Sequence, residues 1–170
     1  MLTGHGVATV PLAHFKRLSL EPLLQLIRQR GARTVLDFGC GWGANTLILR
    51  QALGLAPYRL FVADGSRPPL EDGAVDVVLT THVLEQMGEV LPRALDEIHR
   101  VARRFACHIE PSWRWGRWPH RLRMRRLGYP RDIAERSVPL GWRLVEHRAA
   151  DPGWGRVPGE LIVLEKPDAA

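Results

Sequence analysis

Residues 34–43 read TVLDFGCGWG, and this stretch decides the fold. An apolar run leads to the acid Asp37, and glycines then follow at alternate positions before a predicted helix over residues 44–53. Glycine has no Cβ and tolerates positive φ, so a buried strand that breaks into such a turn lets a ligand approach the backbone. The pattern therefore predicts a strand, a glycine-rich ligand-binding turn and a helix. An ordinary strand-to-helix turn is the alternative.

A second motif favours the ligand-binding interpretation. Residues 64–85 read DGSRPPLEDGAVDVVLTTHVLE, with acids at Asp64, Asp72 and Asp76. Together the two stretches resemble the class I S-adenosylmethionine-dependent methyltransferases, which read D-x-G-C-G-x-G, later D-x-x-x-L-P-x-x-D-x-x-x-D-x-V, and then V-L-E-H. The resemblance is specific over residues 35–85 and slight beyond about residue 111. The chain has no P-loop, and its glycines do not fit the dinucleotide pattern Gly-x-Gly-x-x-Gly.

Composition bounds the class of protein. The chain has 170 residues, of which 45% are hydrophobic, so we expect one domain over residues 1–170 with a real core. No stretch approaches the ~20 apolar residues of a membrane span, and the amino terminus lacks the pattern of a signal peptide. Cys40 and Cys107 are expected to be free thiols in a cytoplasmic enzyme. The net charge of +6 comes almost entirely from arginine and alone says little about partners.

Hydrophobic periodicity predicts alternating strands and helices. Strands are expected at 34–38, 58–63, 75–80, 105–110, 142–146 and 160–164, and helices at 18–29, 44–53, 89–102 and 133–137. Residues 1–19 are expected to form an irregular arm, and residues 113–131 an insertion rich in arginine and tryptophan. The fold class predicted is α/β, with a reduced, mostly parallel Rossmann-like sheet of about six strands and helices on both faces.

The spacing between the two motifs departs from the family. Only residues 44–63, 20 in number, separate Gly43 from Asp64, where the family usually holds two strands with a helix between them. The local pattern makes Asp64 the acid that contacts adenine, whereas its distance from the glycine turn makes it the acid that binds the ribose hydroxyls. We favour the ribose position, with one strand–helix unit lost and the remaining strand paired with the first.

The resemblance implies a site for S-adenosylmethionine at the carboxyl ends of the strands. Asp37 is expected to hold the amides of the turn or, through water, the ammonium group of the cofactor; capping the following helix is the alternative. The other residues expected to bind the cofactor are Gly39, Cys40, Gly41, Trp42, Gly43, Asp64, Gly65, Ser66, Thr80, Thr81 and His82.

Two residues are candidates for proton transfer. His82 could take a proton from a hydroxyl or amine acceptor, and packing against the cofactor or bonding to backbone is its alternative role. Strand alternation places His108 and Glu110 on one face, which makes Glu110 the second catalytic candidate. A metal site is not favoured, because no third ligand is evident beside these two residues.

Residues 113–131 interleave three tryptophans with seven arginines. Such a segment can bind nucleic acid, lie at a lipid interface or hold an acidic small molecule. An insertion whose tryptophans pack on the core while its arginines face water is the competing interpretation. In the family this place usually builds the acceptor pocket.

The sequence predicts methyl transfer from S-adenosylmethionine to a small or medium-sized acceptor, with an acidic acceptor as one option. An RNA methyltransferase or RNA binder is the first alternative; it is not favoured, because no Asn-Pro-Pro-Tyr type motif follows the strand at 75–80. A non-catalytic partner subunit is the second alternative, and the shortened sheet motivates it. A homodimer that completes a compact catalytic subunit would look the same in sequence.

Overall fold

The computed structural model describes residues 10–41, 43–54, 65, 67–150 and 158–167. Its helices are α1 Val10–Arg30, α2 Ala44–Leu53, α3 Leu91–Val101, α4 Trp118–Leu127 and α5 Ile133–Ser137. Its strands are β1 Val35–Phe38, β2 Val75–Thr81, β3 Ala102–Pro111, β4 Arg143–Ala150 and β5 Gly159–Glu165. Short 3-10 turns lie at Leu84–Gln86, Gly88–Val90 and Val138–Leu140. No helix in the described ranges is both long enough and apolar enough to cross a membrane.

The strands form one sheet in the order β1-β2-β3-β5-β4. β1, β2 and β3 are parallel to one another, and β5 runs antiparallel to both of its neighbours. The ends of β1, β2 and β3 at Phe38, Thr81 and Pro111 therefore lie along one edge, which we call the carboxyl edge. The predicted α/β class is confirmed. The described strands make a mixed sheet with two parallel and two antiparallel pairs, and the expected sixth strand at 58–63 lies outside the described residues.

One face of the sheet packs against α1 and α2, and we call it the apolar face. Strands β2, β3 and β5 present only apolar side chains to its core: Val77, Leu79, Phe105, Cys107, Ile109, Leu161 and Val163. Helix α1 adds Leu20, Leu23, Leu24 and Ile27, and α2 adds Leu49. Burial raises the pKa of the Cys107 thiol to about 12, so this free cysteine behaves as a core residue.

The opposite face packs against α3 and α5, and we call it the mixed face. Leu95, Ile98 and Ile133 of these helices contact Val78 and Ala106 of the sheet. Because side chains alternate along a strand, the same face also receives Thr80, His108, Glu110 and Glu160, all buried polar residues. These four lie towards the carboxyl edge, so the polar groups of the sheet are concentrated at one end of one face.

Hydrogen bonds at the opposite edge fix how β1 and β2 pair. The carboxylate of Asp76 accepts hydrogen bonds from the backbone amides of Arg33 and Thr34 at 2.7 and 3.1 Å, and the Asp76 amide donates to Thr34 Oγ1 at 2.8 Å. The guanidinium of Arg103 pairs with the same carboxylate at 2.8 Å. Asp76 thus joins the starts of three strands and leaves the carboxyl edge open for a site.

The structure corrects two expectations about local conformation. Residues 10–19, expected in an irregular arm, are helical, because α1 begins at Val10 and continues through Pro22. Pro22 therefore lies inside the helix, not at its start. Within the insertion at 113–131, residues Trp118–Leu127 form helix α4, which ends at Gly128 with a positive φ of 68°. The short helix at 133–137 and the closing strands agree with the sequence prediction.

Candidate functional site

The turn between β1 and α2 opens at the carboxyl edge. Gly41 has a φ of 53°, a left-handed conformation that residues with a Cβ rarely adopt. Apart from its chain neighbours, a Cβ placed on Gly41 would meet no atom of the described residues within 4 Å. Open space against a strained backbone is what a ligand that lies directly on the turn requires.

Gly39 has a different role in the same turn. Its φ is 73°, and a Cβ built there would lie 2.3 Å from Cγ2 of Val83. The loop that follows β2 therefore packs directly on the backbone of the turn. This contact holds the ends of β1 and β2 together, as a site shared by the two strands needs.

Asp37 joins the end of β1 to the first turn of α2. Its Oδ2 accepts a hydrogen bond from Thr46 Oγ1 at 2.7 Å, and Thr46 belongs to the first turn of α2. Burial, followed by the nearby Asp37 charge, raises the pKa of the Cys40 thiol above its usual value. The carboxylate thus links strand and helix across the turn and keeps the thiol protonated near neutral pH.

His82 is held in an unusual conformation just after β2. Its φ is 55°, and it is the one non-glycine residue with positive φ in the described part of the chain. Its amide donates to the Ile109 carbonyl at 3.0 Å, and its own carbonyl accepts from Gln86 Nε2 at 3.0 Å. The ring Nδ1 lies 3.5 Å from Oε2 of Glu85. Strained backbone of this kind is typical of functional sites, where surrounding contacts maintain it.

A buried cluster of Thr80, His108 and Glu110 supplies contacts that maintain the conformation of the loop at His82. Thr80 Oγ1 donates to Glu110 Oε1 at 2.8 Å and lies 2.9 Å from His108 Nδ1. The same Glu110 oxygen accepts the Val83 amide at 3.3 Å. The Thr80, His108 and Glu110 side chains each have 0% exposure. The cluster therefore supports residues 82–84 from beneath, and neither His108 nor Glu110 faces an open pocket.

The hydrogen-bond directions define the proton positions in this cluster. Because the Thr80 proton goes to Glu110, the tautomer of His108 that fits carries its proton on Nδ1 and donates to Thr80. Burial lowers the pKa of His108 to about 4, so its ring is neutral at pH 7. Burial raises the pKa of Glu110 to about 7, partly offset by the hydrogen bond from Thr80. Glu110 therefore changes charge near neutral pH inside the protein.

Several other buried polar atoms lack a hydrogen-bond partner in the described residues. Thr81 Oγ1 and His120 Nε2 are among them. Burial lowers the pKa of His120, and a Cβ built on Gly116 would lie 2.5 Å from Cδ2 of its ring, so α4 packs this ring against the segment that follows β3. Orphaned polar atoms at one edge of a sheet indicate groups that a ligand or water completes.

The start of the 113–131 segment is tied to the closing strands. Ser112 Oγ donates to Glu160 Oε2 at 3.1 Å and accepts the Trp115 amide at 3.1 Å. Nε2 of His147 lies 3.0 Å from the same Glu160 oxygen, and the Trp115 ring packs edge-on against the His147 ring at 5.0 Å. The segment is therefore anchored on the mixed face beside the site.

Farther along the segment, arginines stack on tryptophan. The guanidinium of Arg131 lies 4.0 Å from the centre of the Trp113 ring, and that of Arg121 lies 5.8 Å from it. Arg131 also lines a pocket of about 300 Å³ together with Tyr129 and Arg136. The loop from Gly88 to Leu91, which follows β2, forms the other wall. The pocket thus lies between the end of the arginine-rich segment and the start of α3.

Residues 36–105 match the family model of the methyltransferase domain. This matched part, 70 of the 170 residues, is similar to a methyltransferase domain. The resemblance of the two sequence motifs is confirmed by this match, which covers the glycine turn, β2 and the start of β3. No curated protein matches the chain.

Solved structures of methyltransferases share the fold at low sequence identity. An S-adenosylmethionine-dependent methyltransferase from Aquifex aeolicus is 15% identical, with a TM-score of 0.62 over 95% of this chain and 100% of that one. Magnesium protoporphyrin IX methyltransferase from Synechocystis PCC 6803 with bound S-adenosylhomocysteine is 11% identical, with a TM-score of 0.65 over 96% and 90%. A chain from the complex between the Haloferax volcanii Trm112 methyltransferase activator and the putative methyltransferase is 14% identical, with a TM-score of 0.63 over 90% and 97%.

The predicted site residues divide into two groups in the structure. Asp37, Gly39, Cys40, Gly41 and Gly43 form the turn, and Gly65, whose added Cβ would lie 3.0 Å from the Phe38 ring, passes beside it. Thr80, Thr81, His82 and Glu110 lie at the ends of β2 and β3. Trp42, Asp64 and Ser66 lie outside the described residues.

Sequence reasoning missed three polar residues that gather around Ser112 at the end of β3. His120, His147 and Glu160 come from α4, β4 and β5, which the sequence does not connect to the carboxyl edge. For Glu160 the sequence offers one signal, since its carboxylate directly precedes the apolar run at 161–164. Strand register then sets Glu160 directly opposite Glu110.

Proposed function

We propose that this chain binds S-adenosylmethionine at the glycine turn and transfers its methyl group to a small or medium-sized acceptor. The observation that carries the proposal is the turn at Gly39–Gly43, which lies in the part matched by the methyltransferase model and faces open space at Gly41. The acceptor, and catalysis itself, go beyond what the family match provides.

The residues of the edge fit the cofactor. Open backbone at Gly41 suits close approach, Asp37 brings negative charge suited to an ammonium group, and the buried Thr81 hydroxyl has no partner in the described residues. When bound, the sulfonium supplies a methyl carbon already activated for displacement. The protein then mainly aligns the acceptor and excludes water. The ribose assignment of Asp64 stays a proposal from its spacing, since it falls outside the described residues.

The acceptor is proposed to enter between the loop after β2 and the 113–131 segment. Arg131 and Arg136 line the pocket of about 300 Å³ there, which suits a small acceptor with an acidic group. Arg136 is partly neutralised by Asp132 at 2.7 Å, so Arg131 is the stronger candidate to contact an anion. The stack on Trp113 holds the Arg131 guanidinium in place.

His82 is the proposed base for acceptors that must lose a proton. Glu85 lies 3.5 Å from Nδ1 of the ring and can orient the imidazole, with the other nitrogen as the proton acceptor. Glu110 is enclosed and supports the same loop through Val83, so we assign it a positioning role instead of direct proton transfer.

The test is calorimetric titration with S-adenosylmethionine and S-adenosylhomocysteine. Gly41→Val should abolish binding, since a branched Cβ would occupy the open space that the ligand needs. Gly31→Val is the matched control, because Gly31 also has positive φ, at 64°, and open space around it, but follows α1 before β1. Loss of binding in Gly41→Val, together with intact binding in Gly31→Val at similar backbone strain, supports the site. A folded Gly41→Val protein that binds normally would refute it.

A partner-dependent subunit is the second proposal. The short spacing between Gly43 and Asp64 favours it, and the neighbour from Haloferax volcanii was solved in a complex with an activator. Measuring the activity of the isolated chain at several protein concentrations distinguishes the two proposals. An activity that rises steeply with protein concentration indicates self-assembly, and cofactor binding without turnover at any concentration indicates a missing partner.

A further inference from the structure

Helix α4 presents an unusual outer surface. Trp118, Leu122, Arg125 and Arg126 follow the i, i+4, i+7, i+8 spacing and lie along one stripe, which we call the α4 stripe. All four side chains are exposed, whereas Met124 on the inner side of the helix is buried at 1% exposure. The stripe therefore faces away from the core.

The positive charge of this region is not compensated. Residues 111–131 contain seven arginines and no acidic residue. Within the described residues, Arg117, Arg123, Arg125 and Arg126 form no ion pair, whereas Arg100, Arg103 and Arg136 elsewhere each pair with a carboxylate. An uncompensated cluster of fixed charges attracts an anionic partner.

The apolar members of the stripe indicate the kind of partner. Trp118 is 76% exposed and Leu122 is 40% exposed, one helical turn apart. Exposed tryptophan and leucine are favoured at a bilayer interface, where neighbouring arginines can reach the lipid phosphates. Phosphate contacts alone would leave Leu122 without a favourable environment.

The remaining tryptophans argue against nucleic acid as that partner. Arg131 and Arg121 stack on Trp113, and Arg114 lies 5.6 Å from the centre of the Trp115 ring. His147 packs edge-on against the same Trp115 ring. Both rings are thus engaged by side chains of the protein, so Trp118 is the one tryptophan of residues 113–131 left to stack on bases.

We propose that the α4 stripe docks this protein on the surface of an anionic lipid bilayer. Trp118 and Leu122 enter the interface, while Arg125 and Arg126 contact lipid phosphates. The inner side of the same helix carries His120, whose ring lies against Gly116, shortly after β3 ends at the carboxyl edge. Docking therefore brings the site close to the bilayer, although the surface itself does not depend on methyl transfer.

The experiment is flotation of the full chain with phosphatidylcholine vesicles, with and without phosphatidylglycerol. We expect binding only to the anionic vesicles, weakened by added salt. Arg125→Gln should weaken binding about fivefold, since each arginine near an anionic surface contributes on the order of 1 kcal/mol. Arg33→Gln is the matched control, because it removes one exposed arginine just before β1, at the opposite edge of the sheet, and should bind unchanged.

Trp118→Ala separates interfacial docking from simple charge attraction. It keeps every arginine and should still lower binding severalfold, while its circular dichroism spectrum matches that of the parent. Unchanged vesicle binding in Trp118→Ala would overturn the proposal and leave only a polyanion site. No binding to anionic vesicles would also overturn it, with or without binding to a generic single-stranded RNA tested in parallel.

Discussion

The apolar and mixed faces of the sheet carry different kinds of side chain, although the same strands form both. Residues at odd positions of β2, such as Val77 and Leu79, enter an apolar core beneath α1 and α2. At even positions Val78 is apolar, but Thr80 begins a polar cluster that continues to His108 and Glu110. The apolar face carries buried apolar side chains along its whole length, whereas the mixed face changes from apolar to polar side chains towards the carboxyl edge.

This difference between the faces indicates which side chains stabilise the fold and which lower its stability. Apolar packing gains from every buried methylene, whereas buried polar groups stabilise only when all their partners are present. The mixed face holds Glu110 in a state that titrates near neutral pH, which is costly to the fold but keeps the loop with His82 in place. The following predictions test that division.

The largest effect is expected on the apolar face. Leu79→Ala should lower the free energy of unfolding by about 2–5 kcal/mol, because the removed side chain leaves a cavity in a fully buried core. Urea unfolding followed by circular dichroism measures it. Leu47→Ala, at an exposed leucine of α2, should change stability by no more than about 0.5 kcal/mol. Similar small losses in both variants would contradict a continuous apolar core.

The second prediction concerns Glu110 and pH. The pKa of Glu110 is about 7 in the fold against about 4.5 when exposed, so the native state binds the proton more tightly. The parent should therefore lose stability as pH rises from about 4.5 to about 7, by up to about 3 kcal/mol. Glu110→Gln stays neutral, so it should match the parent near pH 4.5 and be more stable at pH 8.

Urea unfolding of both proteins across this pH range measures the difference. His108 acts in the opposite direction, since its pKa is lowered to about 4 and its contribution grows as pH rises to about 6.5. It is present in both proteins and cancels in their difference. Glu71→Gln, at an exposed carboxylate, is the control. A parent that is more stable than Glu110→Gln at pH 8 would show that the carboxylate is needed in its charged form.

The smallest effects should distinguish two adjacent threonines. Thr80→Val removes the hydroxyl shared by His108 and Glu110 and should cost about 1–3 kcal/mol. Thr81→Val removes a hydroxyl without a partner in the described residues and should cost about 0 kcal/mol or slightly stabilise the fold. If Thr81 serves the cofactor, calorimetry will show weaker binding of S-adenosylmethionine in this stable variant. A large stability loss in Thr81→Val would reveal a protein partner for its hydroxyl.

Much of the fold could be predicted because apolar runs and glycines report local structure directly. β1, α2 and β2 lie within a residue or two of their predicted limits, since each is bounded by a clear turn. Helix α4 was missed because Met124 is the one buried residue among its arginines, which gives no apolar periodicity. The first half of α1 was missed because Pro22 is usually found at a helix start.

The site could be predicted only where it depends on the backbone of one segment. The glycine turn is local, so residues 34–43 alone predict β1, the turn and the start of α2. The support of His82 by Glu110 depends on the register that sets Thr80 beside His108, which spacing alone does not reveal. Anchoring of Ser112 by Glu160 likewise requires β5 to insert between β3 and β4.

The left-handed conformation of His82 restricts which sequences this loop can accept. Asparagine, aspartate and glycine adopt such a φ readily, whereas valine or isoleucine at this position would be strongly disfavoured. Exchange of His82 for most other residues would therefore change both the loop and its chemistry in a single step. The substitutions tolerated at position 82 are therefore mainly asparagine, aspartate and glycine. Each of them preserves the backbone conformation of the loop but removes the imidazole.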